Sequence, residues 1–410
     1  MRIQEMVAMD ALQGLRVVDF SKVLAGPLCT QYLGDMGAEV IKVEPLQGDD
    51  TRRWPPFRND DGTVFLSVNR NKRSVALDLK SPEGREAAQR LIATADIVVE
   101  SFGPGVAARL GIDYASAAAL RPDVVYCSIS GFGSKGPLNR GKGYDVILQA
   151  FCGMMSITGE EDGPAIRSPI SPIDQATGMH AATGILAAVV RRLRTGKGCQ
   201  VEASLFDTSV GFMGYVMQSY WERGSEPRRW GSAHESLCPY QVFDASDRPV
   251  LLGVANDTLW RTFCNEVGRP GLADDPRYAT NADRVRNRAD VLALVADIMR
   301  ADSRDAWIER LGRAGIPCAP IQSVGEVLAH PHMAASEMVY RFDDSAHGAL
   351  NVVSQPLRFD GERPEPSLPP PKVGEHTRQV LAELGYGEAA IRRYLDALAP
   401  RPASTAGEAA

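Results

Sequence analysis

Features that define several other protein classes are missing from this sequence. Its seven cysteines are odd in number and include no Cys-x-x-Cys pair, which argues against a disulfide framework and fits reduced thiols. No apolar run approaches the ~20 residues of a membrane span, and the N-terminus shows no basic segment followed by an apolar one. These absences predict a cytoplasmic protein with no membrane partner. With 45 cations against 51 anions the net charge is −6, which argues against a nucleic-acid partner but leaves room for a local basic pocket. Among six histidines the one close pair, His330 and His332, lacks the further ligands a metal needs. No metal is expected.

What remains is an ordinary globular composition, 44% apolar and 23% charged, in a chain of 410 residues, too long for one simple core. From residue 15 the pattern alternates. A buried strand over 15–20, a helix over 27–36 and a strand over 39–43 make a β-α-β unit, hence a parallel sheet. Further strands are expected at 74–79, 96–101, 124–130 and 200–205, with helices at 81–93, 145–150 and 206–222. The first turn, Ser21 to Pro27, has one glycine where the dinucleotide fingerprint needs three, which disfavours a nicotinamide oxidoreductase. Residues 49–65 read as a surface excursion. Arg70, Lys72, Arg73 and Lys80 form a cationic stretch that reads either as a solvated face or as a phosphate receiver. Residues 224–236 read as a linker to a second unit with strands at 240–243, 249–254 and 318–321 and helices at 258–267, 291–300 and 304–314. Residues 322–370 read as irregular, followed by helices at 374–384 and 388–398. Residues 1–11 read as a loose lead-in, and the last dozen as disordered.

The stretch from Ser168 to Gly198 organises the rest. Pro169 and Pro172 lead into a long helix that Asp174 caps and Gly196 ends, and Ala176, Gly178, Ala181 and Ala182 leave its first turns open to close approach. A carboxylate there would face unpaired amides, stay ionised and be able to act as a nucleophile. It would equally serve as an ordinary cap, and the residues alone leave both readings open.

Several motifs along nearly the whole chain resemble the family III CoA-transferases, the CaiB/BaiF family. They are Leu12 to Phe20 with Ala25-Gly26-Pro27, Gly37 to Glu44, Asn71-Lys72-Arg73-Ser74, and Glu100-Ser101-Phe102-Gly103-Pro104-Gly105. Gly131-Phe132-Gly133, Asp174-Gln175-Ala176-Thr177-Gly178, His234-Glu235-Ser236 and Gly315-Ile316-Pro317 continue the match in order. The resemblance implies an α/β large domain with a Rossmann-like parallel sheet built from both chain ends, a smaller α+β domain, and an interlocked homodimer. The corresponding boundaries are 1–223, 224–325 and 326–410. It implies that Asp174 is the nucleophile, passing through a mixed anhydride and an aspartyl-CoA thioester. No permanent cofactor is implied; CoA thioesters and carboxylic acids are the substrates. CoA contacts carry over to Val23, Leu24, Ala25, Leu77, Lys80, Ser101, Phe102, Arg109, Lys142, Tyr144 and Asp145.

The chain also departs from the family. Glu44-Pro45 stands where an arginine often follows the second strand, and the glycine-rich lid of the oxalate-specific branch is absent from 232–236, which disfavours formyl-CoA:oxalate transfer. Related α-methylacyl-CoA racemases carry a histidine at the position of Tyr144. A phenol is a poor base at neutral pH, so transferase is preferred over racemase. A non-catalytic CoA-binding protein would leave Asp174 idle. His234, Arg228 and Arg229 fall where the small domain would cover the acyl group, and their cationic character suits a dicarboxylate such as succinate.

Overall fold

Asp19, Lys42, Glu44, Lys72 and Ser74 occupy alternate positions of three strands, so the two-residue period of a strand sends all five to one face of a sheet. The computed structural model describes residues 11–343 and 345–398. Strands β1 (Arg16–Phe20), β2 (Glu39–Glu44), β3 (Lys72–Ala76), β4 (Ile97–Glu100), β5 (Val125–Ser130) and β6 (Cys199–Ser204) form one sheet in the order β3-β2-β1-β4-β5-β6. Every neighbouring pair is parallel. The strand order reverses between β1 and β4, and such a switch point is where open α/β sheets hold ligands.

The alternate residues Val18, Phe20, Ile41, Val43 and Val75 pack under helix α2 (Pro82–Thr94), and Val380, Leu381 and Ile391 from two C-terminal helices join the same core. Helices α1 (Ala25–Asp35) and α4 (Pro172–Thr195) lie against the other face. Between α1 and α2 in chain order, the excursion folds as a short 3-10 turn, a two-residue ladder and a short helix. Gly178 of α4 lets the backbones of α1 and α4 meet, since a Cβ there would lie 2.5 Å from the Ala25 carbonyl oxygen. Neither backbone yields easily. Gly178→Ala is therefore expected to cost ~1–3 kcal/mol by overpacking, read as a lower urea midpoint. An unchanged midpoint would show that the two helices slide apart freely.

One expectation needs correction. All six strands come from residues 16–204, so the large unit draws on both chain ends but its sheet draws only on the first. The C-terminal segment instead seals the sheet edge: the amides of Ser74 and Ala76 on edge strand β3 donate to His376 Nδ1 and Thr377 Oγ1. An edge with its donors taken does not recruit another strand. Residues 322–370 are also more ordered than expected, with a capping box at Ser323 and Glu326 starting a short helix, and a hairpin of Val339–Phe342 with Leu350–Val353. The helix expected over 206–222 breaks at Met213 into α5 (Leu205–Phe212) and α6 (Gly214–Arg223), where Gly211 and Gly214 weaken helical continuity.

Contacts divide the chain into two compact units, the second comprising Gly153–Ser168 and Val216–Met333. That second unit is α+β, with a three-stranded antiparallel sheet (Tyr240–Asp244, Pro249–Gly253, Cys318–Pro320) and three main helices around Trp260, Phe263 and Trp307. Among the described residues no helix is long and apolar enough to cross a membrane, and no group of His, Cys, Asp or Glu could hold a metal ion. The lead-in expected over 1–11 lies almost wholly outside the described residues, and the disordered end lies wholly outside them.

Candidate active site

A cleft of about 520 Å³ opens at the carboxyl ends of β1, β4 and β5, across the switch point. Its walls are the loop after β1 (Lys22 to Gly26), the loop after β4 (Ser101 to Pro104), Gly131 and Phe132 after β5, the Lys142-Gly143-Tyr144 loop, and Asp174. Two glycines bring the last loops together: a Cβ on Gly143 would lie 2.5 Å from the Gly131 Cα. The amide of Lys22 donates to Ser101 Oγ at 3.0 Å, tying the loops on either side of the switch point.

The loop after β1 is held under strain. Val23, β-branched, has φ +71°, a conformation that costs of order 1–3 kcal/mol. Its amide points at Asp49, 3.3 Å from Oδ2, and Asp49 in turn pairs with Lys42 Nζ at 3.1 Å. Lys42 also donates to the Ser21 carbonyl. Asp19 accepts from the Ser21 amide, the Thr30 hydroxyl and Lys72 Nζ, which further donates to the Pro27 carbonyl and to Asn69. Asp19, Lys42, Asp49 and Lys72 are all fully or almost fully buried. Burial alone would raise Asp19, but the charges of Lys72 and Lys42 and the hydroxyls of Ser21 and Thr30 hold it at about 2.

Asp174 differs from its expected setting. Helix α4 begins at Pro172, with Ser171 at its N-cap in the left-handed region (φ +50°), so Asp174 sits in the first turn and is not the cap. The amides of Ile173 and Asp174 both donate to Asp145 Oδ2, at 2.8 and 3.1 Å, and that of Gln175 donates to the Ser171 carbonyl. The helix end therefore offers these donors to Asp145, which starts helix α3 (Asp145–Phe151), rather than to Asp174. The half-buried Asp174 carboxylate accepts no hydrogen bond among the described residues. Burial first, and the neighbouring Asp145 charge second, push it up to about 7. The reading in which amides keep it ionised is overturned: near neutrality it is a carboxylate poised to gain or lose a proton. The helix end left uncapped is that of α1, which has no side-chain cap and no acidic residue in its first turn, and whose Ala25 and Gly26 line the cleft.

Of the residues singled out from sequence, Val23, Leu24, Ala25, Ser101, Phe102, Lys142, Tyr144 and Asp174 line this one cleft. Asp145 is buried behind it, and the Leu77 side chain lies in the sheet core. Lys80 and Arg109 are exposed and do not line the cleft. Arg70, Lys72 and Arg73 neither form a solvated face nor stand free for phosphate: they pair with Asp35, with Asp19, and with Glu39 and Glu383. Glu44, in place of the family arginine, is bound by the buried Arg52. The excursion instead supplies cleft residues that sequence reasoning missed, Asp50, Arg53 and Trp54, with Lys22 and Arg53 both paired to Asp50. In the second unit, Arg229 donates to four backbone carbonyls, Arg228 pairs with Glu161, and His234 Nδ1 accepts from the Ser236 amide.

Known proteins are similar to this chain over nearly its whole length. CoA-transferase family III matches residues 12–377. Succinyl-CoA:glutarate CoA-transferase of Mus musculus is 38% identical over 391 residues, covering 95% of this chain and 90% of that protein. Succinate–glutarate CoA-transferase of Agrobacterium fabrum is 38% identical over 382 residues, covering 91% and 95%. A CaiB/BaiF family protein from Brucella suis, known from its crystal structure, shares the fold with a TM-score of 0.81 at 37% identity, covering 91% of this chain and 99% of that one. With the match spanning the β1 loop, the switch-point cleft and the Asp174 helix alike, this chain belongs to the family III CoA-transferases.

Proposed function

We propose that this enzyme moves CoA between succinate and a second dicarboxylate of the glutarate kind through covalent intermediates on Asp174. The observation that carries the reading is Asp174 itself, a carboxylate in the cleft wall with no hydrogen bond to weaken it and a proton affinity near neutrality. Its oxygen attacks the thioester carbonyl, and the C–S bond breaks to give a mixed anhydride and CoA thiolate. The thiolate then attacks the Asp174 carbonyl carbon, releasing the donor carboxylate and leaving an aspartyl-CoA thioester. The acceptor carboxylate repeats both steps in reverse order, so no metal and no outside proton are required. The uncapped amides of α1 receive the developing oxyanion. CoA lies along Val23, Leu24, Ala25, Ser101 and Phe102, with Lys22, Arg53 and Lys142 toward its phosphates and Lys80 and Arg109 at the periphery.

The names of the relatives support succinate and glutarate as the acids. From the family resemblance, Arg228 and His234 are proposed to influence which diacid is used, tested by the selectivity of their alanine variants, whereas Arg229 is occupied in holding its own loop. A homodimer is carried into this reading from the family resemblance. Seven free thiols support a reducing, cytoplasmic setting. Incubation with succinyl-CoA followed by hydroxylamine or borohydride should leave an adduct on the peptide carrying Asp174, detected by mass spectrometry. Absence of any adduct, together with deuterium exchange at an α-carbon, would replace transfer by racemisation.

A further inference from the structure

Among the described residues, Asp145 is a buried carboxylate that forms no ion pair. Its Oδ2 accepts both amides at the start of α4, and its Oδ1 accepts from Gln149 Nε2 one turn further along its own helix. Its side chain is thereby fixed from two helices, at 6% exposure and outside the cleft lining. The backbone amide it holds includes that of Asp174, whose carboxylate feels its charge. We propose that Asp145 is a positioning residue for Asp174: by taking the amides of the α4 N-terminus on its own oxygen, it denies them to Asp174 and leaves that carboxylate unsolvated and nucleophilic.

Two acidic groups near one helix N-terminus compete for the same donors, and the one left without them bears the burial and the repulsion. The geometry assigns the winner. Other charged or titratable groups on the elements around Asp174 are Lys142 and Tyr144 before α3, Lys22, Asp50 and Arg53 across the cleft, His180 further along α4, and Asp207 on α5. Asp207 is occupied by Ser204, Asp50 by Lys22 and Arg53, and His180 faces Thr208. Asp145 supplies the charge that, after burial, raises Asp174. This inference rests on the covalent role of Asp174, and the adduct experiment decides that role separately.

Asp145→Asn removes the charge and weakens the hold on the two amides, because a neutral amide oxygen is a poorer acceptor than a carboxylate and leaves the amides freer to turn to Asp174. The pH midpoint of kcat/KM for succinyl-CoA transfer, expected near 7 in the wild type, should fall by at least about one unit in this variant, with the KM for succinyl-CoA within about twofold. Asp145→Glu should return the midpoint toward the wild-type value. A purely structural role would lower turnover without moving the midpoint, and a direct CoA contact would raise KM instead; either result overturns the proposal. Should Asp145→Asn fail to fold, the unmodified enzyme still decides, because a wild-type midpoint below about pH 5 is that of an ordinary carboxylate and refutes any tuning of Asp174.

Discussion

Replacing Asp174 with asparagine should abolish CoA transfer and at the same time make the protein more stable at pH 8. The first effect follows from the loss of the attacking oxygen. No other carboxylate in the cleft stands free, since Asp50 is held by two cations, and turnover should fall by ~10⁴-fold or more. The second effect follows from proton linkage. Asp174 is raised from 3.8 to about 7 by burial and by Asp145, so between those pH values the folded protein holds a proton that the unfolded chain has released. Stability therefore falls as pH rises through that window, and the loss is complete above the folded value. Three units correspond to a ceiling of ~4 kcal/mol, and partial solvent access reduces this to roughly 2 kcal/mol. Urea midpoints of wild type and Asp174→Asn should separate progressively from pH 5 to pH 8, with the variant higher. A constant gap across that range, or a more stable wild type at pH 8, would show that Asp174 is not held near neutrality. The combination of lost activity and gained stability distinguishes a strained catalytic group from a structural cap, whose removal costs about 1 kcal/mol.

The cap interpretation shows how far the sequence reaches. The end of the long helix at Gly196 was legible from local pattern, as were the strand periods, because each depends on residues a few positions apart. The cap of the helix was misplaced by three residues: Pro172 suits the first helical position, and Ser171 adopts a left-handed conformation that local propensity does not favour. Asp145 was legible as the start of its own helix, but its hold on α4 spans 28 and 29 positions and exists only after the sheet has formed. The cationic stretch near residue 70 was misread for the same reason, since Lys72 meets Asp19 across 53 positions. Arg53 and Trp54 reach the cleft from a segment whose prolines and aromatics indicate only that it leaves the regular pattern.

The Lys72 contact leads to the second large effect. Lys72→Met should lower stability by ~3–5 kcal/mol, because it leaves Asp19 charged and buried without the cation above it. It also removes the donors to the Pro27 carbonyl and to Asn69, the former at the base of α1. The wild-type Asp19 stays ionised to about 2, so its contribution is present above the unfolded carboxylate range and is lost as pH falls toward 2. The variant loses that contribution, and the gap between it and wild type should shrink as pH falls below about 4. Asp19→Asn added to Lys72→Met should recover part of the loss, since it removes the orphaned charge while an oxygen remains for Ser21 and Thr30. A merely structural pair would show only this. The network also holds the strained Val23 backbone through Lys42 and Asp49, so the Lys72 variant should bind acyl-CoA more weakly even where it is fully folded, with KM rising more than kcat falls. If the double variant regains stability but not KM, the buried charges serve the cleft as well as the fold; if both return together, the loop after β1 is set by packing and Val23 needs no electrostatic restraint.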